Sequence, residues 1–352
     1  MSKSKLKPLP TVGVIGAGSF GITVAQLLAV NNNVLLFARD PLTAKQINDT
    51  HIIHDVVLSQ RIRALSSYTE IADTCEVIFP VIPSEDFRDM MQTLGPLLSP
   101  RHILIHGTKG LDTTRVKNIM SFTGKLDRED VCTMSEVISE ESNVLRIGCL
   151  SGPNLSKEIL EGQPTATVIA SEYDEVVTIG IELLTSKKMF VFGSSDILGA
   201  ELAGAFKNII ALGSGYLRGK GLGKNVQGLF ITRGLHEITY FGGILGADKS
   251  AFLGTAGIGD LIATATSSNS RNFMFGFQLG QGSSLQEVLE GTAELAEGLR
   301  SLRIAFFMAK TIKVRLPIIE TLYKIVFENL PFQTALDYLM RYPYSKDVSI
   351  HM

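Results

Sequence analysis

The segment 11–40 constrains the fold of this chain more than any other. It reads as strand, glycine turn, helix and strand, and its turn carries the G-x-G-x-x-G spacing at Gly16, Gly18 and Gly21. Apolar runs at 12–15 and 34–37 are the predicted strands, and the alanine-containing stretch 22–30 is the predicted helix. In this context the glycine spacing indicates a site for a dinucleotide.

Each glycine has a physical task in such a turn. Gly16 allows the tight turn, Gly18 lets the backbone approach a pyrophosphate, and Gly21 lets the helix pack closely on the strand. The N-terminus of the helix then offers unpaired N–H groups to the phosphates. An ordinary glycine-rich βα turn is the competing interpretation, and the flanking strands and helix disfavour it.

The same segment could be a signal peptide or a membrane anchor, because lysines at 3, 5 and 7 precede a long stretch without charge. However, the glycines interrupt that stretch together with Ser19, Thr23 and Gln26, and no small-residue cleavage site follows. We therefore expect a soluble, cytoplasmic protein without membrane insertion, and a short disordered basic tail at 1–10.

Length and composition limit the function classes. A chain of 352 residues suits two domains, and a hydrophobic content of 45% provides for sizeable cores. The net charge of −2 gives no indication of a nucleic-acid or membrane-surface partner. The three cysteines are widely spaced and the six histidines lack ligand spacing, so we expect neither disulfides nor a metal site.

The pattern of the chain changes near residue 195. Before that point, short apolar runs alternate with helical patterns, and further strands are predicted at 77–82, 103–106, 146–150, 165–170 and 189–192. After it, helical periodicity dominates, with helices predicted at 197–211, 228–245, 257–264, 284–289, 294–310, 318–328 and 332–341. The fold class predicted is α/β, with a doubly wound parallel sheet at 1–195 followed by an all-α domain at 196–352.

Two segments of the second half carry charged groups in unusual surroundings. Lys207 lies in the apolar helix that begins at 197, beside Ala203 and Gly204, so its ammonium either snorkels to solvent or points into a cleft. In the segment 254–272, Asp260 and Thr264 share a helix face. The alternative for Asp260 is a helix-capping aspartate.

The polar run 266–270 leads to Ser270, Arg271 and Asn272, which could form a cradle for a phosphate. A solvated loop is the alternative for this run. Lys109, between Thr108 and Gly110 at a predicted strand end, is expected to face the ligand crevice.

These motifs together resemble one family, the NAD(P)-dependent sn-glycerol-3-phosphate dehydrogenases of the bacterial and eukaryotic-cytosolic type. The resemblance extends over about 11–343, and its motifs keep the family's order: GAGSFG at 16–21, VIPS at 81–84, GTKGL at 107–111, LSGPN at 150–154, GAFKNIIAL at 204–212, ITRGLHE at 231–237, GIGDLIATATSSNSRN at 257–272, AEG at 296–298 and LP at 316–317. The chain departs from the family at Phe20, at Lys224, in the loop 49–61 and after Arg341.

The resemblance implies a role for particular residues. Lys207 matches the catalytic lysine, with Lys109 and Asp260 beside it. The substrate-binding set it implies is Lys109, Gly152, Asn208, Thr264, Ser270, Arg271 and Asn272. The coenzyme-binding set it implies is Gly16, Gly18, Ser19, Phe20, Gly21, Arg39, Pro83, Ser84, Lys109, Arg271 and Glu297.

The implied reaction is the reversible reduction of dihydroxyacetone phosphate to sn-glycerol 3-phosphate with NADPH or NADH, which supplies glycerophospholipid synthesis. The implied partner is a small phosphorylated ketone or alcohol, and a homodimer is left open. Two alternatives stay open as well: another two-domain NAD(P)-dependent β-hydroxyacid or keto reductase, and a nicotinamide-binding sensor without turnover.

Overall fold

The computed structural model describes residues 10–116, 118–291 and 296–342, which group into two compact units. The first unit contains the described residues up to 108 together with 135–150 and 156–195. The second contains 109–134, 151–155 and the described residues from 196 onward. The basic tail expected at 1–10 and the predicted start of a helix at Glu294 lie outside the described residues, apart from Pro10.

The structure describes ten strands, of which eight form the main sheet of the first unit and two form a separate pair. The strands are, in chain order, β1 (Thr11–Ile15), β2 (Asn33–Phe37), β3 (Ile52–Ile53), β4 (Val56–Val57), β5 (Ile62–Leu65), β6 (Val77–Pro80), β7 (Ile103–His106), β8 (Arg146–Ser151), β9 (Thr165–Ala170) and β10 (Met189–Ser194). Their order in the sheet is β10-β9-β8-β7-β6-β1-β2-β5, while β3 and β4 form a separate antiparallel pair. Strand β1 pairs in parallel with both β2 and β6, so the chain winds outward in two directions from the glycine turn.

The helices that accompany this sheet are α1 (Ser19–Leu28), α2 (Pro41–Thr50), α3 (Tyr68–Thr74), α4 (Phe87–Leu94), α5 (Met134–Glu141), α6 (Ser156–Leu160) and α7 (Asp174–Leu184). The central strands are buried on both faces, which explains why they read as uninterrupted apolar runs. Asp40 caps α2, because its carboxylate accepts hydrogen bonds from the backbone N–H groups of Leu42 and Thr43.

The second unit is helical. Its helices are α8 (Ile197–Gly219), α9 (Lys224–Ile244), α10 (Lys249–Leu253), α11 (Asp260–Ala265), α12 (Arg271–Gln281), α13 (Leu285–Glu290), α14 (Glu297–Thr311), α15 (Pro317–Phe327) and α16 (Phe332–Arg341). Helix α8 begins where the Asp196 side chain accepts a hydrogen bond from Gly199 N–H. It is long and apolar enough to cross a membrane, but 89% of its apolar window is buried within the protein, as in a core helix.

The segment 109–134 groups with the helices because its backbone is bonded to α14. Arg303 donates hydrogen bonds from Nε to the Ile119 carbonyl, at 2.6 Å, and from Nη2 to the Phe122 carbonyl. The Leu126 N–H donates to the Thr311 hydroxyl at 3.0 Å. The functional division into 1–195 and 196–352 stays a prediction.

The predicted fold class is confirmed: a mostly parallel sheet with flanking helices precedes a helical region. The predicted strands did not include β3, β4 and β5, and the predicted helices of the second unit did not include α10 and α12. Strand β5 has only four residues, one of them Arg63, and α12 begins directly after the polar run 266–270.

Candidate active site

A buried lysine lies at the centre of the second unit. Helix α8 is apolar on almost every side, and Lys207 is only 5% exposed. Its Nζ donates hydrogen bonds to Asp260 Oδ1 and, over 2.6 Å, to Thr264 Oγ1. An ammonium carries three N–H groups, and the third has no partner among the residues that the structure describes.

Asp260 accepts hydrogen bonds from both of the lysines that the sequence indicated, Lys109 and Lys207. It is the first residue of α11, directly after the π-helical turn Thr255–Gly259, and is 1% exposed. Its Oδ2 accepts a hydrogen bond from Lys109 Nζ at 2.8 Å while Oδ1 accepts from Lys207. The alternative of a capping aspartate is therefore wrong, because the carboxylate pairs with two ammonium groups.

The pKa values of this cluster follow from burial and charge. Burial lowers the pKa of Lys207 to about 7, since removal from water disfavours the ammonium; Asp260 opposes this shift and Lys109 adds to it. Burial acts to raise the pKa of Asp260, but the two lysines outweigh it and the net shift is downward. The arrangement holds a carboxylate ionised beside an amine that exchanges a proton near neutral pH.

Lys109 is held by two further contacts. Its Nζ donates a hydrogen bond to the Gly152 carbonyl at 2.7 Å. Its alkyl chain lies against α8 at Gly204, where an added Cβ would be 3.6 Å from Lys109 Cγ and 3.1 Å from Ser151 Oγ. The absence of a side chain at Gly204 therefore accommodates Lys109 and Ser151.

A chain of side-chain amides connects the cluster to α14. Asn208 donates from Nδ2 to the Lys109 carbonyl at 3.2 Å and accepts at Oδ1 from Asn272 Nδ2 at 3.0 Å. Asn272 Oδ1 in turn accepts from Gly298 N–H at 2.8 Å. Both amides thus bond within the protein, and their contact with substrate stays a prediction.

Ser270, Arg271 and Asn272 lie at the start of helix α12, where the polar run 266–270 ends. Ser270 is the N-cap of α12, and its hydroxyl accepts a hydrogen bond from Phe273 N–H at 3.3 Å. Arg271 is exposed in the first turn of this helix. A helix N-terminus beside a guanidinium favours an anion, which supports the predicted phosphate contact.

Comparison with known proteins identifies the family. Profiles of the N- and C-terminal parts of NAD-dependent glycerol-3-phosphate dehydrogenase match residues 11–177 and 196–337. An NAD(P)+ glycerol-3-phosphate dehydrogenase of Staphylococcus haemolyticus is 37% identical over 335 residues, with 94% of this chain and 97% of that protein covered. The Ectopseudomonas mendocina enzyme of the same name is also 37% identical and covers 95% of each chain. This chain belongs to the NAD-dependent glycerol-3-phosphate dehydrogenase family.

Solved structures agree with this assignment. The crystal structure of glycerol-3-phosphate dehydrogenase from Coxiella burnetii superposes with a TM-score of 0.84 at 26% identity, over 95% of this chain and 99% of that one. The glycerol-3-phosphate dehydrogenase of Saccharomyces cerevisiae shares the fold, with a TM-score of 0.80 at 22% identity, over 94% and 99% of the two chains.

The glycine loop of this glycerol-3-phosphate dehydrogenase family member has the geometry of a phosphate cradle. Gly16 has φ +116°, and a Cβ on Gly21 would lie 1.9 Å from the Gly16 carbonyl oxygen. A Cβ on Gly18 would meet nothing within 4 Å, and no side chain caps α1 at this residue. The open N-terminus of α1 therefore fits the pyrophosphate of NAD or NADP, the coenzymes of the family.

The other residues expected to bind coenzyme are divided between the two units. In the first unit, Ser19, Arg39 and Pro83 are exposed, Ser84 is buried, and the Phe20 ring packs over Gly107, 3.2 Å from the position of an added Cβ. In the second unit, Glu297 begins α14. Coenzyme contacts for all of these residues, and for Lys109 and Arg271, stay predictions.

Among the described residues, no group of three His, Cys, Asp or Glu side chains is placed to hold a metal ion. Sequence reasoning missed two polar residues that contact α11, namely Ser214 in α8 and Gln227 in α9. Both residues are fully or almost fully buried. The signal available in the sequence was a polar residue within a helix of mainly apolar residues.

Proposed function

We propose that this member of the family reduces dihydroxyacetone phosphate to sn-glycerol 3-phosphate, reversibly, with Lys207 as the proton donor. The observation that carries the proposal is the third N–H of Lys207. The other two N–H groups are bound to Asp260 and Thr264, and the third has no partner among the described residues. It is the donor available to the oxygen of a ketone.

When bound, the nicotinamide coenzyme supplies a hydride to the ketone carbon. The oxygen on that carbon then gains negative charge, and Lys207 stabilises the charge and transfers its proton to the oxygen. Asp260 keeps the cluster electrically balanced after the transfer, because it stays ionised between the neutral amine and Lys109. In the reverse direction, neutral Lys207 accepts the proton from the alcohol.

Lys109 has a different task in this proposal. Its ammonium is fixed between the Gly152 carbonyl and Asp260 Oδ2, so it presents a positive charge in a defined place. That charge would help to hold the carbonyl oxygen or the neighbouring hydroxyl of the substrate. Arg271 and the N-terminus of α12 would bind the phosphate, and remote binding of this kind orients the reacting carbonyl.

The physiological setting proposed is the cytoplasm. sn-Glycerol 3-phosphate is the backbone of glycerophospholipids, so the product would enter lipid synthesis. A homodimer is also proposed, and light scattering of the purified chain tests it. A monodisperse monomer across the micromolar range would overturn that part of the proposal.

Turnover of a panel of substrates with each coenzyme tests the proposed reaction. Oxidation of NADH and NADPH is followed at 340 nm with dihydroxyacetone phosphate, unphosphorylated dihydroxyacetone, and a set of 2-keto acids. We expect turnover with the ketone phosphate alone at a substantial rate. Preferred reduction of a keto acid would instead establish a different two-domain reductase, and coenzyme binding without any reduction would establish a sensor.

A further inference from the structure

The last carbonyl of α11 is bound by two side chains from outside the helix. Helix termini leave their final C=O groups without intrahelical partners. The Ala265 carbonyl accepts a hydrogen bond from Ser214 Oγ of α8 at 2.6 Å and another from Gln227 Nε2 of α9 at 3.3 Å. Gln227 Nε2 also donates to Ser214 Oγ at 2.8 Å, so the three groups form a closed triangle.

The orientation of the Gln227 amide is fixed by its neighbours. The Ala265 carbonyl can only accept, and the Ser214 hydroxyl already donates to it, so both require a donor from Gln227. Gln227 Oε1 then has no partner among the described residues, although the residue is only 2% exposed. A buried acceptor without a partner is costly, and the favourable part of this arrangement is the pair of bonds made by the NH2 group.

The triangle lies next to the cluster that performs the proposed reaction. Thr264, whose hydroxyl accepts from Lys207, directly precedes Ala265, and Asp260 lies one turn earlier in α11. Ser214 follows Lys207 by two turns of α8. Helix α11 is therefore attached to α8 at two places, through Lys207 at Asp260 and Thr264 and through Ser214 at Ala265.

Helix α11 depends on such attachments. It has only six residues, far below the length at which a helix is stable alone. A π-helical turn containing Gly257 and Gly259 precedes it, and glycines hold a helix weakly. Its last residue, Ala265, is bonded through its carbonyl to Ser214 of α8 and to Gln227 of α9.

We infer that Ser214 and Gln227 are positioning residues, which hold α11 so that Asp260 and Thr264 meet Lys207. The inference rests on the proposed function for its kinetic consequence, but the attachment itself can be measured without turnover. Neither side chain touches the Lys207 ammonium, so both act through the position of α11.

The first experiment is amide hydrogen exchange on the full chain. Ser214→Ala removes one donor, and Gln227→Met removes the other with little change in volume. Thr239→Val is the matched control, because Thr239 is a buried hydroxyl of α9 that bonds only within its own helix, to the Leu235 carbonyl. We expect exchange over 260–266 to accelerate at least fivefold in the two test variants and to stay unchanged there in the control. Unchanged exchange in both test variants would overturn the inference.

The second experiment is the pH dependence of kcat with dihydroxyacetone phosphate. Looser contact with Asp260 weakens the charge that favours the ammonium, so the midpoint of the profile should move to lower pH in Ser214→Ala and Gln227→Met. We expect kcat to fall about fivefold with KM within twofold of wild type. Faster exchange with an unchanged kcat and midpoint would overturn the positioning role. An inactive wild-type chain would instead refute the proposed function, and hydrogen exchange would still decide whether the triangle holds α11.

A double-mutant cycle separates positioning from general loss of stability. Thr264→Val removes the hydroxyl through which the last turn of α11 contacts Lys207. If Ser214 acts through α11, the effect of Ser214→Ala on kcat should shrink by at least half in the Thr264→Val background, as expected for coupled residues. Additive effects on kcat would contradict the inference.

Discussion

Lys207 and Asp260 form an ion pair inside the second unit, with side chains only 6% and 2% exposed. Asp260 accepts at its other oxygen from Lys109, so a single carboxylate is shared by two ammonium groups. Removing one member of such a buried set leaves charge uncompensated, so substitutions test the set. Because burial lowers the pKa of Lys207, the set is also suited to a reaction in which one proton leaves and returns, and pH tests that property.

The pH dependence of the two reaction directions should be opposite. Burial lowers the pKa of Lys207 to about 7. Reduction of the ketone needs the ammonium, so kcat for reduction should fall about tenfold per pH unit above this midpoint. Oxidation of sn-glycerol 3-phosphate needs the neutral amine, and its kcat should rise through the same region. Parallel profiles for both directions would remove Lys207 from proton transfer.

Arg271 should determine recognition of the phosphate. Replacement by alanine is expected to reduce kcat/KM for dihydroxyacetone phosphate by roughly 2–4 kcal/mol, as for loss of a charge-assisted pair. Arg271→Lys keeps the charge without the planar fork, and its loss should be intermediate. Unphosphorylated dihydroxyacetone serves as the substrate control and should be a poor substrate of both proteins. Equal losses on the two substrates would mean that Arg271 supports the fold of α12.

Arg39 should discriminate between the coenzymes. Strand β2 ends just before it, and the adjacent Asp40 is engaged as the N-cap of α2, so Arg39 is the residue left to meet the adenosine ribose. We expect NADPH to be accepted, with NADH also usable. Arg39→Ala should raise KM for NADPH at least several times more than KM for NADH.

The matched control for Arg39 is Arg101→Ala. Arg101 is exposed and precedes β7, so it lies near the N-terminal ends of the parallel strands, whereas Arg39 follows the C-terminal end of β2. It should leave both KM values unchanged. Much tighter binding of NADH than of NADPH by the wild type would show that Asp40 reads the ribose and that the assignment of Arg39 is wrong.

Glu237 should make stability depend on pH. Burial raises its pKa to about 8 from an ordinary value of 4.5, although Ile318 N–H and Ile319 N–H of α15 donate hydrogen bonds to it. Between these two pH values the unfolded chain loses the proton and the folded chain keeps it. The free energy of unfolding should therefore decline by up to a few kcal/mol as pH rises from about 4.5 to 8, and then level off.

Urea unfolding at several pH values tests this expectation. Glu237→Gln cannot ionise, so its decline over the same range should be smaller than that of wild type. Glu290→Gln, at an exposed carboxyl of α13, is the control and should follow the wild type. A decline in Glu237→Gln that equals the wild-type decline would contradict the raised pKa.

The sheet and the glycine loop could be predicted because their signals are local. Buried parallel strands are continuous apolar runs, and the loop needs particular residues at fixed spacing. Asp260 and Thr264 were also placed on one helix face from spacing alone, and the Thr264 hydroxyl does donate to Asp260 Oδ1, at 3.2 Å. The N-cap of α2 also has a local signal, since Asp40 is followed by Pro41 at the first helical position.

Other features depend on contacts between distant segments. The start of α12 at Arg271 could not be predicted, because the capping hydroxyl of Ser270 gives a weak signal compared with the serines and asparagines around it. Lys109 and Asp260 are 151 positions apart, so nothing local shows that they share a hydrogen bond. The bonds from Ser214 and Gln227 to the Ala265 carbonyl involve a backbone group, which has no sequence signature at all.

The most direct test of the central claim is the turnover of Lys207→Ala. We predict that kcat for dihydroxyacetone phosphate falls by on the order of 10² or more, while NADH affinity, measured by fluorescence titration, stays within twofold of wild type. Lys224→Ala, at an exposed lysine that begins α9, should keep both values. A near-wild-type kcat in a folded Lys207→Ala protein would contradict the assignment of Lys207 as the proton donor.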